Sequence, residues 1–202
     1  MRRKLGILLM ALGLAMLAAS VGLVAWNQQE ANQAEAASAE LQRSLSEAIA
    51  LYRTEEPTAP TLPDPSAKPE MKAIEVNGRL CVGFVAIPKL KLELPVLAKC
   101  TDENLKTSPC LYSGTTMEDD LVLAAHNYRR HFGPIRRLKP GDQVYFVDAE
   151  GGTICYQVAA VDAVPPTAVE EVFSGQFDLT LVTCTYGGTT RLVVYCDRQT
   201  TA

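Results

Sequence analysis

Residues 178–184, Asp178-Leu-Thr-Leu-Val-Thr-Cys184, alternate faces: Leu179, Leu181 and Thr183 lie on one side, Thr180, Val182 and Cys184 on the other. That is the period of a β-strand. A turn with two adjacent glycines follows, Thr185-Tyr-Gly-Gly-Thr-Thr190, and then a second β-type run, Arg191-Leu-Val-Val-Tyr-Cys196. Paired as an antiparallel hairpin with Cys184 opposite Arg191, the two side chains share a face with Cβ atoms ~5 Å apart. A different register would bring Arg198 into play instead, although it lies past the strand.

A thiol beside a guanidinium at a strand end has a chemical use. Cysteine attack on a carbonyl makes a tetrahedral oxyanion that a fixed charged donor can stabilise, and arginine stays charged at any working pH. The thiol also needs a base, for which histidine is the usual partner. The sequence holds two histidines. His126 ends the apolar run Leu121-Val-Leu-Ala-Ala125, whereas His131 sits in a loop with Arg129, Arg130 and Gly133. His126 is therefore the candidate acid/base, Cys184 the candidate nucleophile and Arg191 the candidate oxyanion donor. Each residue alone has a plainer reading, as a packed core thiol, a polar strand terminus or a solvated cation.

Outward from this hairpin, further short β-type runs stand at Cys81–Ile87, Pro95–Leu97, Leu121–Ala125, Gln143–Val147 and Thr153–Val161, separated by turns such as Lys139-Pro-Gly-Asp142 and Asp148-Ala-Glu-Gly-Gly152. Only Asp102–Thr107 and Ala168–Phe173 have the composition of short helical turns. So many short strands remove their edges by closing on themselves, and the expected architecture is mainly β, an antiparallel barrel over residues 71–202.

The N-terminal third is different in kind. Residues 5–26 carry no charge, and about 22 helical residues reach ~33 Å, enough to cross a hydrocarbon core. Met1-Arg2-Arg3-Lys4 precedes the run, so the positive-inside rule keeps residues 1–4 in the cytoplasm, exports the rest and sets Trp26 at the outer interface. The run is too long for the apolar region of a cleaved signal peptide. Residues 27–53 read as a stalk helix with Leu41, Leu45, Ala48 and Leu51 on one stripe. Prolines 57, 60, 63, 65 and 69 then make an extended linker that ends near residue 70. The expected localisation is a single-pass cell-membrane protein with its globular domain outside.

A formal net charge of −4 without a basic block excludes the electrostatic footprint of a nucleic-acid binder. Six cysteines without a Cys-x-x-Cys pair, and only two histidines, give no expected metal site. Cys100 and Cys110 flank a loop and could pair, leaving Cys184 free.

Thr180-Leu-Val-Thr-Cys184, followed by a loop and an arginine on the next strand, resembles the T-L-x-T-C signature of the sortase family, and Ala124-Ala-His-Asn127 is similar to its histidine segment. The resemblance covers residues 80–198. Six residues separate Cys184 from Arg191, a shorter loop than in many sortases. The stretch from Val161 to Leu179 is short beside the helical insertion of the class B type, and subclass is left open. The resemblance implies a closed eight-stranded barrel and a cysteine transpeptidase. It would cleave a Leu-Pro-x-Thr-Gly-like motif of surface or pilin proteins and pass the acyl group to an amine of a cell-wall precursor or pilin subunit. Thr183 and Asn127, beside the catalytic candidates, are the expected substrate contacts. No cofactor is implied, apart from a calcium ion that some sortases hold on acidic loops, for which Glu103, Glu118, Asp119 and Asp120 are available. Rival readings are a membrane-anchored cysteine protease that hydrolyses, and a catalytically silent tethered binding module with Cys184 in its core.

Overall fold

The computed structural model describes residues 2–54, 70–168, 176–185 and 187–199. The proline-rich linker and most of the helical turn expected at Ala168–Phe173 lie outside the described residues. Among the described residues, one long helix, α1 (Arg2–Thr54), leads into nine strands: β1 (Ile74–Val76), β2 (Arg79–Ile87), β3 (Leu92–Leu97), β4 (Cys110–Ser113), β5 (Leu121–Ala124), β6 (Gln143–Asp148), β7 (Thr153–Val164), β8 (Leu179–Cys184) and β9 (Arg191–Arg198). A six-residue helix, α2 (Asp102–Thr107), joins β3 to β4, with Thr101 capping it through a bond from the Asn104 amide. The expected helical turn at Asp102–Thr107 is thus present.

The strands follow the order β1-β2-β3-β4-β5-β8-β9-β7-β6, and β2 also pairs with β6. That last pairing closes eight strands into a barrel and leaves β1 as a short ninth strand on the free part of β2. Gly83 makes the closure sterically possible. It sits at the β2 bulge with φ +148°, and a Cβ there would run into the Val147 carbonyl of β6.

Two pairings depart from the antiparallel expectation: β3–β4 and β5–β8 are parallel. Both are joined by crossovers, through α2 in the first case and through β6 and β7 in the second, as parallel neighbours require. Short β1 and β4 were absent from the expected strands, and β3 and β7 run longer than expected.

The barrel interior is filled by Val85, Ile87, Leu121, Leu123, Phe132, Ile135, Phe146, Tyr156, Leu179, Leu181 and Val194, all fully buried. A second cluster lies outside it. There Leu41, Leu45 and Ile49 of α1 pack on Val76, Cys81, Leu97 and Cys110. The stalk therefore docks along the barrel, and its stripe is Ala34, Ser38, Leu41, Leu45 and Ile49. Leu51, expected on that stripe, is 66% exposed, because six residues from Leu45 place it about 120° around the helix. Polar ties flank the stripe: Arg130–Glu35 at 2.9 Å, Ser38–Ser108 at 3.3 Å and Asn77 to Ser44 at 3.2 Å. The preceding apolar segment stays clear of the barrel, with Leu9, Leu12, Met16, Leu23 and Trp26 all exposed, and it is long and apolar enough to cross a membrane.

Candidate active site

Strand β8 ends at Cys184 and β9 begins at Arg191, and the register places the two directly opposite each other. The turn between them is fastened twice. The Thr185 amide donates to the Thr190 carbonyl at 3.1 Å, and the two threonine hydroxyls bond at 2.8 Å. Gly187 and Gly188 take the positive φ values, +87° and +71°, that a turn this tight needs. The Arg191 guanidinium lies back over the turn and donates to the carbonyls of Gly188 at 3.2 Å and Thr190 at 3.4 Å.

His126 reaches the same place through the parallel partner of β8. Leu121 pairs with Leu179, and the register runs unbroken to Ala124 opposite Val182. The Ala125 amide then donates to the Val182 carbonyl at 3.1 Å, the Thr183 hydroxyl to the Ala125 carbonyl at 2.8 Å, and the Asn127 side-chain amide to the Thr185 carbonyl at 3.4 Å. Continued two residues past Ala124, that register sets His126 level with Cys184. Three strand ends thus bring His126, Cys184 and Arg191, all half-buried, to one cleft of about 320 Å³. Its other walls are apolar, including Leu105, Tyr112, Val164, Pro165 and Pro166.

Thr183 and Asn127, expected as substrate contacts, have other partners here. The Thr183 side chain is buried and its hydroxyl donates to Ala125, so it ties β8 to the histidine segment, and Asn127 makes a similar tie to Thr185. Arg198 sits at the far end of β9, bonded to Asp119 at 2.7 Å and to the Thr116 carbonyl at 3.2 Å. His131 is not at the cleft. It is fully buried against the backbone of Ala34 and Thr107, and burial, with His126 nearby, pushes it down to about 4.

Electrostatics at His126 come from several elements. Burial lowers its affinity for a proton, Glu30 of α1 and Asp102 of α2 raise it, and Lys106 of α2 lowers it. The Tyr128 ring lies 4.9 Å from the His126 ring and 5.3 Å from that of His131, and the Tyr128 hydroxyl donates to Glu30 Oε1 at 3.3 Å. Neither Glu30 nor Tyr128 was singled out by sequence. Tyr128 follows His126 by two residues, a weak signal, and Glu30 carries none, being 96 positions away.

All six cysteines are free thiols. The Cys110 thiol donates to the Ser108 carbonyl at 3.4 Å; the neighbouring Cys110 holds Cys100 low, and Cys100 together with burial pushes Cys110 up. No group of three or more His, Cys, Asp or Glu among the described residues is placed to hold a metal ion. Of the acidic loop residues, Asp119 pairs with Arg198, Glu103 with Arg79, and Asp120 accepts from the Thr115 amide.

The family model described as "Sortase domain" matches residues 85–199. The chain belongs to the sortase family. Among curated relatives, the sortase is similar to Sortase A of Bacillus anthracis, 31% identical over 121 residues that span 57% of each chain. A little over half of that relative's length is therefore represented. Among solved structures, it is similar to sortase C1 of Streptococcus agalactiae, at 30% identity and a TM-score of 0.56 over 64% of this chain and 72% of that one. It is also similar to sortase C of Streptococcus pneumoniae, at 26% identity and a TM-score of 0.54 over 81% and 90%. The closed barrel with few helices is the fold of these sortases.

Proposed function

We propose that this sortase is a membrane-anchored cysteine transpeptidase with its barrel outside the cell, residues 5–26 crossing the membrane and residues 1–4 inside. The observation that carries the reading is the register that sets Cys184 opposite Arg191 on β8–β9 and, through the β5–β8 pairing, level with His126. Cys184 Sγ attacks the threonine carbonyl carbon of a Leu-Pro-x-Thr-Gly-like motif. The Thr–Gly C–N bond breaks, and the leaving nitrogen takes a proton from His126. An incoming amine then gives its proton to His126 while its nitrogen displaces the thiolate, so one group serves as acid and base in turn. Arg191 stabilises the oxyanion in both steps. A thiolate nucleophile, an imidazole and a guanidinium suffice for this exchange, so the reading involves no cofactor, calcium included.

The structure of the Streptococcus pneumoniae sortase C bears on catalysis and pilin substrate specificity in that enzyme. In this reading the substrates are likewise sorting-motif proteins of the surface or pilin kind, and the acceptor is an amine of a cell-wall precursor or a pilin. The full chain, incubated with a Leu-Pro-x-Thr-Gly peptide and a diglycine amine, should yield the amide product. His126→Ala and Cys184→Ala should each abolish turnover. Free acid as the sole product with amine in excess would make the protein a hydrolase and overturn the transfer reading.

A further inference from the structure

The barrel supplies the three reacting side chains, yet the carboxylate tied to the imidazole's aromatic neighbour comes from elsewhere. Glu30 stands four residues past Trp26 on α1, at the point where the helix leaves its apolar segment and meets the barrel. It is half-buried and accepts the 3.3 Å bond from Tyr128, whose ring in turn leans on His126 at 4.9 Å. The docking beyond it is firm, with Ala34 buried, Glu35 paired to Arg130, and Leu41, Leu45 and Ile49 in the second core cluster.

We propose that Glu30 is a positioning residue for the acid/base: through Tyr128 it holds the His126 ring in place, and its carboxylate favours the protonated imidazole. The anchor helix thereby completes the site. This rests on the reading of His126 as the acid/base.

The other groups that face His126 do not substitute for Glu30. Asp102 and Lys106 of α2 oppose each other in sign and are both exposed, so solvent weakens each. Tyr128 is neutral at working pH, and His131 behind it is neutral down to about pH 4. Cys184 and Arg191 line the same cleft, and they belong to the reaction itself. Among the described residues, Glu30 is left as the one half-buried carboxylate held in place by a bond to the ring's neighbour. Removing it withdraws charge that favours the imidazolium, so His126 should titrate at lower pH in its absence.

The test uses the full chain in detergent micelles with ¹³C-labelled histidine. Only two histidines exist, and His131 titrates well below the window of interest, so the His126 resonance can be followed alone. Glu30→Gln should move its midpoint to lower pH, by an amount that shrinks as salt is added. Tyr128→Phe, which keeps the ring and loses the hydroxyl, should move it the same way by less. In the transfer assay Glu30→Gln should lower kcat roughly fivefold, below the tenfold scale of a charge-assisted hydrogen bond because this one is long and partly exposed, with KM unchanged. Hydrogen exchange over residues 34–49 should stay as in the wild type, showing that the helix is still docked. An unshifted His126 midpoint in a docked Glu30→Gln protein would overturn the inference, even if transfer proceeds. A lower His126 midpoint in Glu30→Gln, with a wild-type chain that yields only the free acid, would leave the inference standing and sink the transfer reading.

Discussion

Replacing Leu45 by alanine should release the stalk half of α1 from the barrel while leaving the barrel folded. Leu45 is 0% exposed, at the centre of the cluster with Leu41, Ile49, Val76, Cys81, Leu97 and Cys110. A buried Leu→Ala change costs about 2–5 kcal/mol. The lower part of that range applies here, because a helix on the outside of a barrel can settle into the space. About 3 kcal/mol corresponds to roughly a hundredfold shift in the docking equilibrium.

Two cysteines report it. Cys81 and Cys110 are both 0% exposed beneath the helix, whereas Cys196 is equally buried in the other cluster, among barrel residues. Site-resolved alkylation of the full chain in micelles should show Cys81 and Cys110 reacting on the order of a hundredfold faster in Leu45→Ala, in proportion to the undocked population. Cys196 should be unchanged. Leu51→Ala, at a 66% exposed position on the same helix, should leave all three as they are. Equal protection of Cys81 and Cys110 in wild type and Leu45→Ala, or equal loss in Leu51→Ala, would refute the docked stalk.

Arg191→Ala should lower kcat by about 10²–10³, the scale for one oxyanion donor, and Arg191→Lys should restore only part of it, since an ammonium lacks the fixed fork. Arg198→Ala should leave kcat alone and cost at most about 1 kcal/mol, because its 2.7 Å pair with Asp119 is 42% and 43% exposed; steady-state transfer kinetics with the reverse pattern would contradict the β8–β9 register. His131 is held at about 4 in the folded protein against an ordinary 6.5, so the unfolded chain binds the extra proton first on acidification. Stability should therefore be full above pH 6.5 and fall by about 3 kcal/mol between pH 6.5 and 4. Unfolding measured stepwise over that range should show a slope that His131→Phe flattens, and an unchanged slope would count against a buried neutral His131.

The β8–β9 hairpin was legible because alternation ran for seven residues on one side and a Gly-Gly turn bounded the other; the register was open between Arg191 and Arg198, and the structure sets Cys184 opposite Arg191. Strands β1 and β4, of three and four residues, are too short for a period to show. Parallel pairing is invisible in a single strand, because alternation says which face is inward and nothing of the neighbour's direction. His131, between Arg130 and Phe132, read as a loop residue. It is buried because the barrel loop that carries it is covered by α1 around Ala34 and by the end of α2 at Thr107, contacts that no local pattern encodes. The same remoteness hid Glu30, and it misplaced the stalk's apolar edge by two residues at Ile49 and Leu51.

Geometry and proton affinity at this site are set by separate pieces of the chain. Cys184, Arg191 and His126 stand at strand ends whose registers are pinned by neighbouring bonds, from Thr183 to Ala125 and between Thr185 and Thr190. A slip of one residue in either pairing would turn the cysteine to the opposite face, so the constellation is specified wherever the barrel is. Part of the charge around the imidazole comes from outside the barrel, since Glu30 arrives on α1 and contributes only when that helix is docked. A barrel cut free of the stalk would therefore keep Cys184, Arg191 and His126, the proposed reacting groups, in register. It would also expose Leu97, Cys81 and Cys110 and lose the half-buried carboxylate beside Tyr128. In such a fragment, impaired catalysis with an intact Cys184–Arg191 register is the expected combination.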